Sequence, residues 1–389
     1  MQDFLKTINK YALRGGKSQF AGMKISKRYI AQLAGSLVIQ GRLNHYCAVL
    51  TAQFIVSSEV IVVASRDAIQ SISCDCCTLE SHNLSHLPDV GDIIGAVTFG
   101  SNVVIGYSSG VAKLTSGFKL ERNYMFREYT NNILSIAATP DGSCFATGGA
   151  NAIVTVWSRD VKPVHFLTGH RDWVRFVKFT VVGGDQLQLF STGDDGLILH
   201  WDPLAGTLLS RIDFLHGQDI HAFEVSWKSG YVAVAFDSPT IDLFKPKTES
   251  STSAGVGVVR LERVGRVTDA HRSVSTALCF TNDSQWVISA GEDETLAVSS
   301  VHLSRRLFVC ESFIVRRHCM TFMNTFTSLC VIASPPESSA IVVLACATDG
   351  AAVQWVINPE TLRCSYTKKL QLQIGALVAI GVMQSFFDR

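Results

Sequence analysis

His170, Ser191, Asp195 and Trp201 fall within one stretch, residues 169–202. A hydroxyl, an imidazole and a carboxylate are the parts of a nucleophilic triad, in which the imidazole takes the hydroxyl proton and the carboxylate orients the imidazole. The same groups can instead close a hydrogen-bond network in which each buried polar atom satisfies the next. A second set decides between the two. His271, Ser289 and Asp293 repeat the order His, Ser, Asp, with Ser299 standing where the first set has Trp201. A reaction centre does not usually recur at a structural period, whereas a stabilising network does. The residues are therefore read as a structural network, no catalytic residue is assigned, and the chain is read as a non-enzyme.

The elements that must position these groups follow from one offset. Asp195 lies six residues before Trp201, and the offset finds further copies: Asn151 before Trp157, Ser238 before Phe244, Asp293 before Ser299 and Asp349 before Trp355. Fainter copies centre on Ser109 and Asp67. Successive spacings are 42, 42, 44, 43, 55 and 56 residues. Runs such as Ile153-Val154-Thr155-Val156-Trp157 are β-branched and short, which is strand patterning. Turn signals separate them at Thr139-Pro140-Asp141-Gly142, Gly183-Gly184-Asp185 and Thr281-Asn282-Asp283. The two long spacings carry insertions, read at residues 247–258 and 303–325; the second holds Arg316-Arg317-His318.

Gly169-His170, then Asp195 in a tight turn, then Trp201-Asp202 resemble a WD40 repeat, whose period is about 40–45 residues. The resemblance implies a single seven-bladed, all-β propeller over residues 35–389, with a basic extension at 1–34. It also implies the roles within the network. The His bonds the turn Asp, the Ser bridges them, and the Trp N–H caps the set.

Composition bounds the function. The chain has 389 residues, 47% hydrophobic and 17% charged, with a formal net charge of +1. That suits a large folded core and excludes a wholly disordered chain. The neutrality is a sum of unlike parts. Residues 1–30 hold Lys6, Lys10, Arg14, Lys17, Lys24, Lys27 and Arg28 against Asp3 alone, so the remainder is net acidic. A basic start of this kind is an organelle transit peptide, a nuclear-type arm or a solvated extension. The eleven cysteines show no metal spacing, Cys74, Cys76 and Cys77 included, and are read as reduced thiols in a reducing compartment. No run of about 18 apolar residues suggests a membrane helix, and residues 372–387 read as closing strands. The sequence is read as having no P-loop, no G-x-S-x-G and no H-E-x-x-H. No metal, cofactor or small-molecule substrate is expected, and the location is read as intracellular, nuclear or cytoplasmic, with a mitochondrial address open.

A narrower resemblance covers residues 50–245. Gly169-His170-Arg171-Asp172-Trp173-Val174, the run from Ser191 to Asp202, Leu204 to Ile212 and Tyr231 to Ala235 are similar to the non-catalytic WD-repeat subunit of eukaryotic tRNA (guanine-N7) methyltransferase. That resemblance implies a propeller that holds a methyltransferase subunit and helps place tRNA, with Arg171 at the subunit interface. The chain departs from that family at Ala150–Val156 and at Tyr107-Ser108-Ser109, where charged residues are missing. A Trp-Asp-x-Arg signature of ligase receptors is also missing, since Trp201-Asp202 is followed by Pro203-Leu204.

The general expectation is a scaffold subunit that binds protein partners within a larger complex. Arg171, Trp173 and Arg175 are the candidate partner-binding residues, because aromatic and Arg side chains dominate interface energetics. Packing of Trp173 between blades is the competing reading. RNA binding through the basic arm is a further alternative.

Overall fold

The structure, a computed structural model, describes residues 60–64, 68–73, 79–83, 93–100, 102–115, 120–125, 132–182, 186–213, 219–249, 258–293, 295–311, 326–332, 341–347, 351–358, 361, 363–371 and 379–382. The chain divides into two units, Met1–Leu43 and Asn44–Arg389. The first lies outside the described residues, and the basic arm with it. So do Asp67, the Cys74–Cys77 cluster, Asp349 and the Arg316-Arg317-His318 cluster.

Strong β-formers between turn residues become strands throughout the second unit. Its described residues hold 28 strands in seven four-stranded antiparallel sheets. The first strand of each blade lies innermost: β4 (Ile93–Phe99), β8 (Ile133–Ala138), β12 (Val174–Val182), β16 (Ile220–Val225), β20 (Ser275–Phe280), β24 (Phe326–Ile332) and β28 (Ala379–Val382). Each packs on the next, and β28 packs on β4, so the sheets close into a seven-bladed ring. The last blade is shared between distant parts of the chain. β28 pairs with β1 (Val60–Ala64), with Val62 opposite Gly381. A sheet closed in this way leaves no exposed terminal blade.

Burial falls from the inside outward. The second and third strands, such as β9 (Cys144–Gly149) and β10 (Ile153–Ser158), are covered on both faces and nearly all buried. That is why they read as continuous apolar runs rather than alternating ones. Fourth strands such as β7 (Leu120–Met125) are exposed along their whole length. Aromatic stacking anchors the core. Phe145 stacks on Trp157 with centroids 5.6 Å apart, and Tyr124 meets Trp157 edge-on at 5.0 Å.

The Thr139 and Thr281 turns close alike. Each threonine amide donates across its turn, to Cys144 O and Trp286 O, and each hydroxyl accepts the returning amide. Gly142 takes φ +69°, which glycine adopts freely; Ser284 takes the same role at φ +58° without that freedom.

Two readings from the sequence need correction. The insertions are shorter than expected. Lys247–Glu249 and Val258 belong to a long hairpin of β18 (Ile241–Glu249) and β19 (Val258–Val267). Arg305–Glu311 is β23, the fourth strand of its blade. Residues 247–258 are rich in Ser, Thr and Gly, but pairing to a neighbouring strand overrides weak local propensity at their ends. Nor are all thiols reduced. Cys144 and Cys279 are free and buried, while Cys364, on β27 (Arg363–Gln371), is disulfide-bonded. Scattered cysteines gave no spacing from which a disulfide could be read.

Candidate functional site

Asp195 sets the turn between β13 (Gln186–Gly193) and β14 (Leu197–Asp202). Its Oδ1 accepts the Leu197 amide at 3.1 Å, a bond two residues onward that fixes the turn. Its Oδ2 accepts the Arg171 amide at 2.8 Å and lies 3.0 Å from His170 Nδ1. His170 Nε2 lies 2.8 Å from Ser191 Oγ, and Trp201 Nε1 donates to that same oxygen at 2.8 Å. One proton arrangement satisfies every atom: Trp201 donates to Ser191, Ser191 to His170 Nε2, and His170 Nδ1–H to Asp195. Burial pushes the Asp195 carboxyl up, but hydrogen bonds from His170, Arg171 and Leu197 outweigh it and hold the group below the usual carboxylate range. Ser191 is fully buried, so a substrate carbonyl has no approach to its hydroxyl.

The second set has the same geometry. His271 Nδ1 lies 3.0 Å from Asp293 Oδ1, and Nε2 lies 2.8 Å from Ser289 Oγ. The Arg272 amide donates to Asp293 at 2.8 Å and the Thr295 amide at 3.2 Å. Ser299 Oγ, at the position of the missing indole, is buried without a hydrogen-bond partner. A third blade keeps the strand half of the pattern. Trp157 Nε1 donates to Thr147 at 2.9 Å, and the Ile153 amide donates to Asn151 at 3.2 Å.

Both full networks need a glycine. A Cβ on Gly193 would lie 2.5 Å from the Trp173 carbonyl oxygen and 3.3 Å from His170 Nδ1. One on Gly291 would lie 2.5 Å from both His271 Nδ1 and Asp293 Oδ1.

The network holds up the turn that carries Arg171 and Trp173. The Trp173 carbonyl accepts the Asp194 amide at 3.0 Å, while the indole is 40% exposed. Arg175 sits at a β-bulge where the β12 register skips from Val174 to Phe176. Bulges re-aim a side chain out of the ladder, and here the guanidinium turns to Asp194. Nε donates at 2.9 Å and Nη2 at 2.7 Å, and Cζ stands 4.8 Å from the Trp173 ring centroid. The structure thus brings Trp173 and Arg175 together. The Arg171 side chain is exposed on the same turn, with its amide held by Asp195.

Sequence reasoning missed Asp194, because nothing local links it to Arg175. It also missed that the bulge recurs on β4, β8, β16, β20 and β24. On β16 the bulged residue is His221, 3.2 Å from Asp237, one blade on from the Arg175–Asp194 pair. The reading that no G-x-S-x-G is present is wrong, since Gly106-Tyr107-Ser108-Ser109-Gly110 spells it. It lies in the hairpin of β5 (Asn102–Tyr107) and β6 (Gly110–Leu114), not at the strand-to-helix elbow that motif requires. Among the described residues no group of three His, Cys, Asp or Glu could hold a metal ion. Nor is any helix among them long and apolar enough to cross a membrane.

Comparison with known proteins gives this geometry a context. The family profile described as "WD domain, G-beta repeat" matches residues 120–158, 161–202 and 263–298. Each match takes in outer-strand residues of one blade and ends in the third strand of the next, so the three contain the Thr147, Ser191 and Ser289 networks. The chain is similar to Protein SLOW WALKER 1 of Arabidopsis thaliana, 27% identical over 131 residues, covering 32% of this chain and 24% of that protein. It is similar to Periodic tryptophan protein 2 homolog of Dictyostelium discoideum, 23% identical over 180 residues, covering 46% and 18%. The matched part therefore spans under a quarter of these relatives' own length. A solved structure, titled "Structure of U3-55K", superposes with a TM-score of 0.56 at 14% identity, covering 72% of this chain and 80% of that one. At that identity the likeness is one of fold.

Proposed function

We propose that this chain, a WD40-repeat protein, works as a non-catalytic scaffold subunit that docks protein partners on the rim formed by Arg171, Trp173 and Arg175. The observation that carries the reading is the exposed Trp173 indole. It is held from behind by a guanidinium that is itself fixed to Asp194. A large aromatic surface with its rotamer restrained loses little entropy on binding, and such residues act as interface anchors. The buried network beneath keeps the turn in place without a ligand. The ring over residues 35–389 and the arm over 1–34 are part of this proposal.

Affinity purification of the intact chain beside Trp173→Ala tests it. Partners captured by the intact chain and lost from the variant support the rim. Capture of every partner by both removes Trp173 from the interface. The finer reading, support of a tRNA (guanine-N7) methyltransferase, rests on the resemblance at residues 169–174 and 191–212. It requires a methyltransferase among the captured proteins, and loss of it on Arg171→Ala. RNA binding through the arm concerns residues outside those described.

A further inference from the structure

Exposed apolar side chains gather on one part of the outer wall. Ten large hydrophobic residues among those described are exposed, and four of them lie together. Val164 and Phe166 are on β11 (Pro163–Thr168), the fourth strand of its blade. Leu204 and Leu208 are on the hairpin from β14 to β15 (Thr207–Asp213) of the next blade. That hairpin rests on β11. His165 Nε2 lies 3.0 Å from the Leu204 carbonyl oxygen, and a Cβ on Gly206 would lie 2.7 Å from His165 Nδ1. Phe166 is 59% exposed and Leu204 70%. Single exposed leucines are ordinary on a folded surface, whereas a contiguous apolar group marks a contact site.

The backbone beside them is open. β11 is hydrogen-bonded to β10 alone, so its outer edge is unpaired within the sheet. Such an edge templates another strand unless charge, proline or a bulge blunts it. β11 begins at Pro163, and its register with β10 skips Val164. The same shift occurs on β7, β15, β19, β23 and β27, so the bulge does not set β11 apart. Charge does. β3 (Leu79–Asn83) holds Glu80, β7 holds Glu121 and Arg122, and β15 holds Arg211 and Asp213. β19, β23 and β27 each hold three or more charged residues. β11 is the one outer strand among those described with no Lys, Arg, Asp or Glu.

The partner that fits such a strand is its own copy. A contact between identical chains about a two-fold axis must complement itself. Antiparallel strands set residues of one face directly opposite one another. With Phe166 on the axis, it meets Phe166 of the copy and His165 meets Leu167, so no charge is opposed within the strand. The turns at its two ends carry both signs, Arg159-Asp160 before and Arg171-Asp172 after, all four exposed. An antiparallel copy brings the first turn of one chain towards the second turn of the other, so neither end sets a single-sign cluster against its like. β27 is the contrary case: its charges, Arg363, Lys368 and Lys369, are all cations that would repel their own copy.

We infer that two copies of this chain associate through β11, edge to edge and antiparallel, with Phe166 at the two-fold axis and Leu204 and Leu208 at its flanks. The surface is separate from the protein-docking rim, and its test is independent of that reading. One strand and its flanks make a small interface, under about 1,200 Å², so the dimer should be reversible, with a dissociation constant on the order of 10 μM. Sedimentation velocity of the purified full chain, at loadings from about 1 to about 100 μM, brackets that value. The intact chain is expected to pass from monomer to dimer across the series. Phe166→Lys sets two ammonium groups face to face and should weaken the dimer about 10-fold or more. The side chain is exposed, so the unfolding midpoint should hold. Phe166→Cys gives a second reading, because a residue on the axis meets itself. Mild oxidation should link two copies of this variant and leave the intact chain and Lys228→Cys, an exposed site off this wall, unlinked. Trp173→Ala should dimerise like the intact chain. The inference is overturned by any of four results: a monomer at every loading, which would leave the edge to a strand of another protein; a dimer that Phe166→Lys does not weaken; no linkage through Phe166→Cys; or loss of the dimer in Trp173→Ala, which would place the contact on the rim.

Discussion

The indole of Trp201 donates to Ser191 Oγ at 2.8 Å. That one bond ties the third strand of its blade to the second, and through the serine to the imidazole on the turn before the first strand. In the blade of Ser289 the indole is replaced by Ser299, and the serine answers to His271 alone among those two partners. At the serine the two networks therefore differ by one buried donor, and at the turn the second adds the Thr295 hydroxyl, which donates to Asp293 at 2.7 Å.

Removing the bridging hydroxyl should cost unequally. Ser191→Ala leaves both His170 Nε2 and Trp201 Nε1 buried and unpaired, whereas Ser289→Ala strands only His271 Nε2. Each orphaned group costs about 1–3 kcal/mol. Ser191→Ala is expected to be the more destabilising by about 1 kcal/mol or more, read from denaturant midpoints of the two variants. His170→Ala should cost about 1–3 kcal/mol in the same measurement.

Gly193→Ala should act on stability and on partner capture together. The added Cβ meets the Trp173 carbonyl at 2.5 Å, a backbone atom that cannot swing aside. The turn bearing Trp173 must shift, at a cost of about 1–3 kcal/mol. Thermal unfolding measures the first effect and affinity purification the second. Retained stability with full partner capture would show that the turn does not depend on this glycine.

Ala152→Gly should stabilise the protein. Ala152 holds φ +63° in the turn where the equivalent residue of the next blade is Gly196, at φ +71°. A side chain in that conformation costs about 1 kcal/mol. Glycine relieves the strain but adds freedom to the unfolded chain, for a net gain of about 0.5 kcal/mol. The unfolding midpoint should rise by a degree or so.

His200 should make stability depend on pH in a defined window. It is fully buried, stacks on Phe190 at 4.2 Å, and its Nε2 donates to Gln188 Oε1 at 2.8 Å. Burial pushes its pKa down to about 4, against an ordinary value of 6.5. The unfolded chain takes up a proton below pH 6.5 that the folded one refuses until about pH 4. Stability is therefore complete above pH 6.5 and falls as pH drops through that window, by on the order of 3 kcal/mol. His200→Gln keeps a donor toward Gln188 and should flatten the profile between pH 4 and 6.5. An unchanged profile would assign the loss to other groups.

What the chain revealed before its fold was known is what repeats locally. Asp195, Asn151 and Asp293 each bond the amide two residues on, so they mark a turn in any context, and their period counts the blades. The residues that were not legible act across distance. Arg175 finds Asp194 only because a bulge turns it out of the ladder. Asp242 gathers Arg263 and Arg266 only because β18 pairs with β19, which sets Asp242 opposite Arg266. The start of one insertion was misjudged for the same reason, since Arg305–Glu311 becomes a strand through pairing with β22 (Thr295–Ser300).

The pairing of β1 with β28 sets a clock on biosynthesis. The two strands are more than three hundred residues apart, and translation proceeds at about 5–20 residues per second. During the tens of seconds that separate their emergence from the ribosome, β1 has no neighbour on its inner side, and the amides and carbonyls along that edge stay open to any passing strand. Completion of the ring must wait until β28 has been made. The nascent chain is exposed to misassociation along β1 until then, and the substitutions that most reduce yield in the cell should include those that delay β28 rather than those that weaken the finished core.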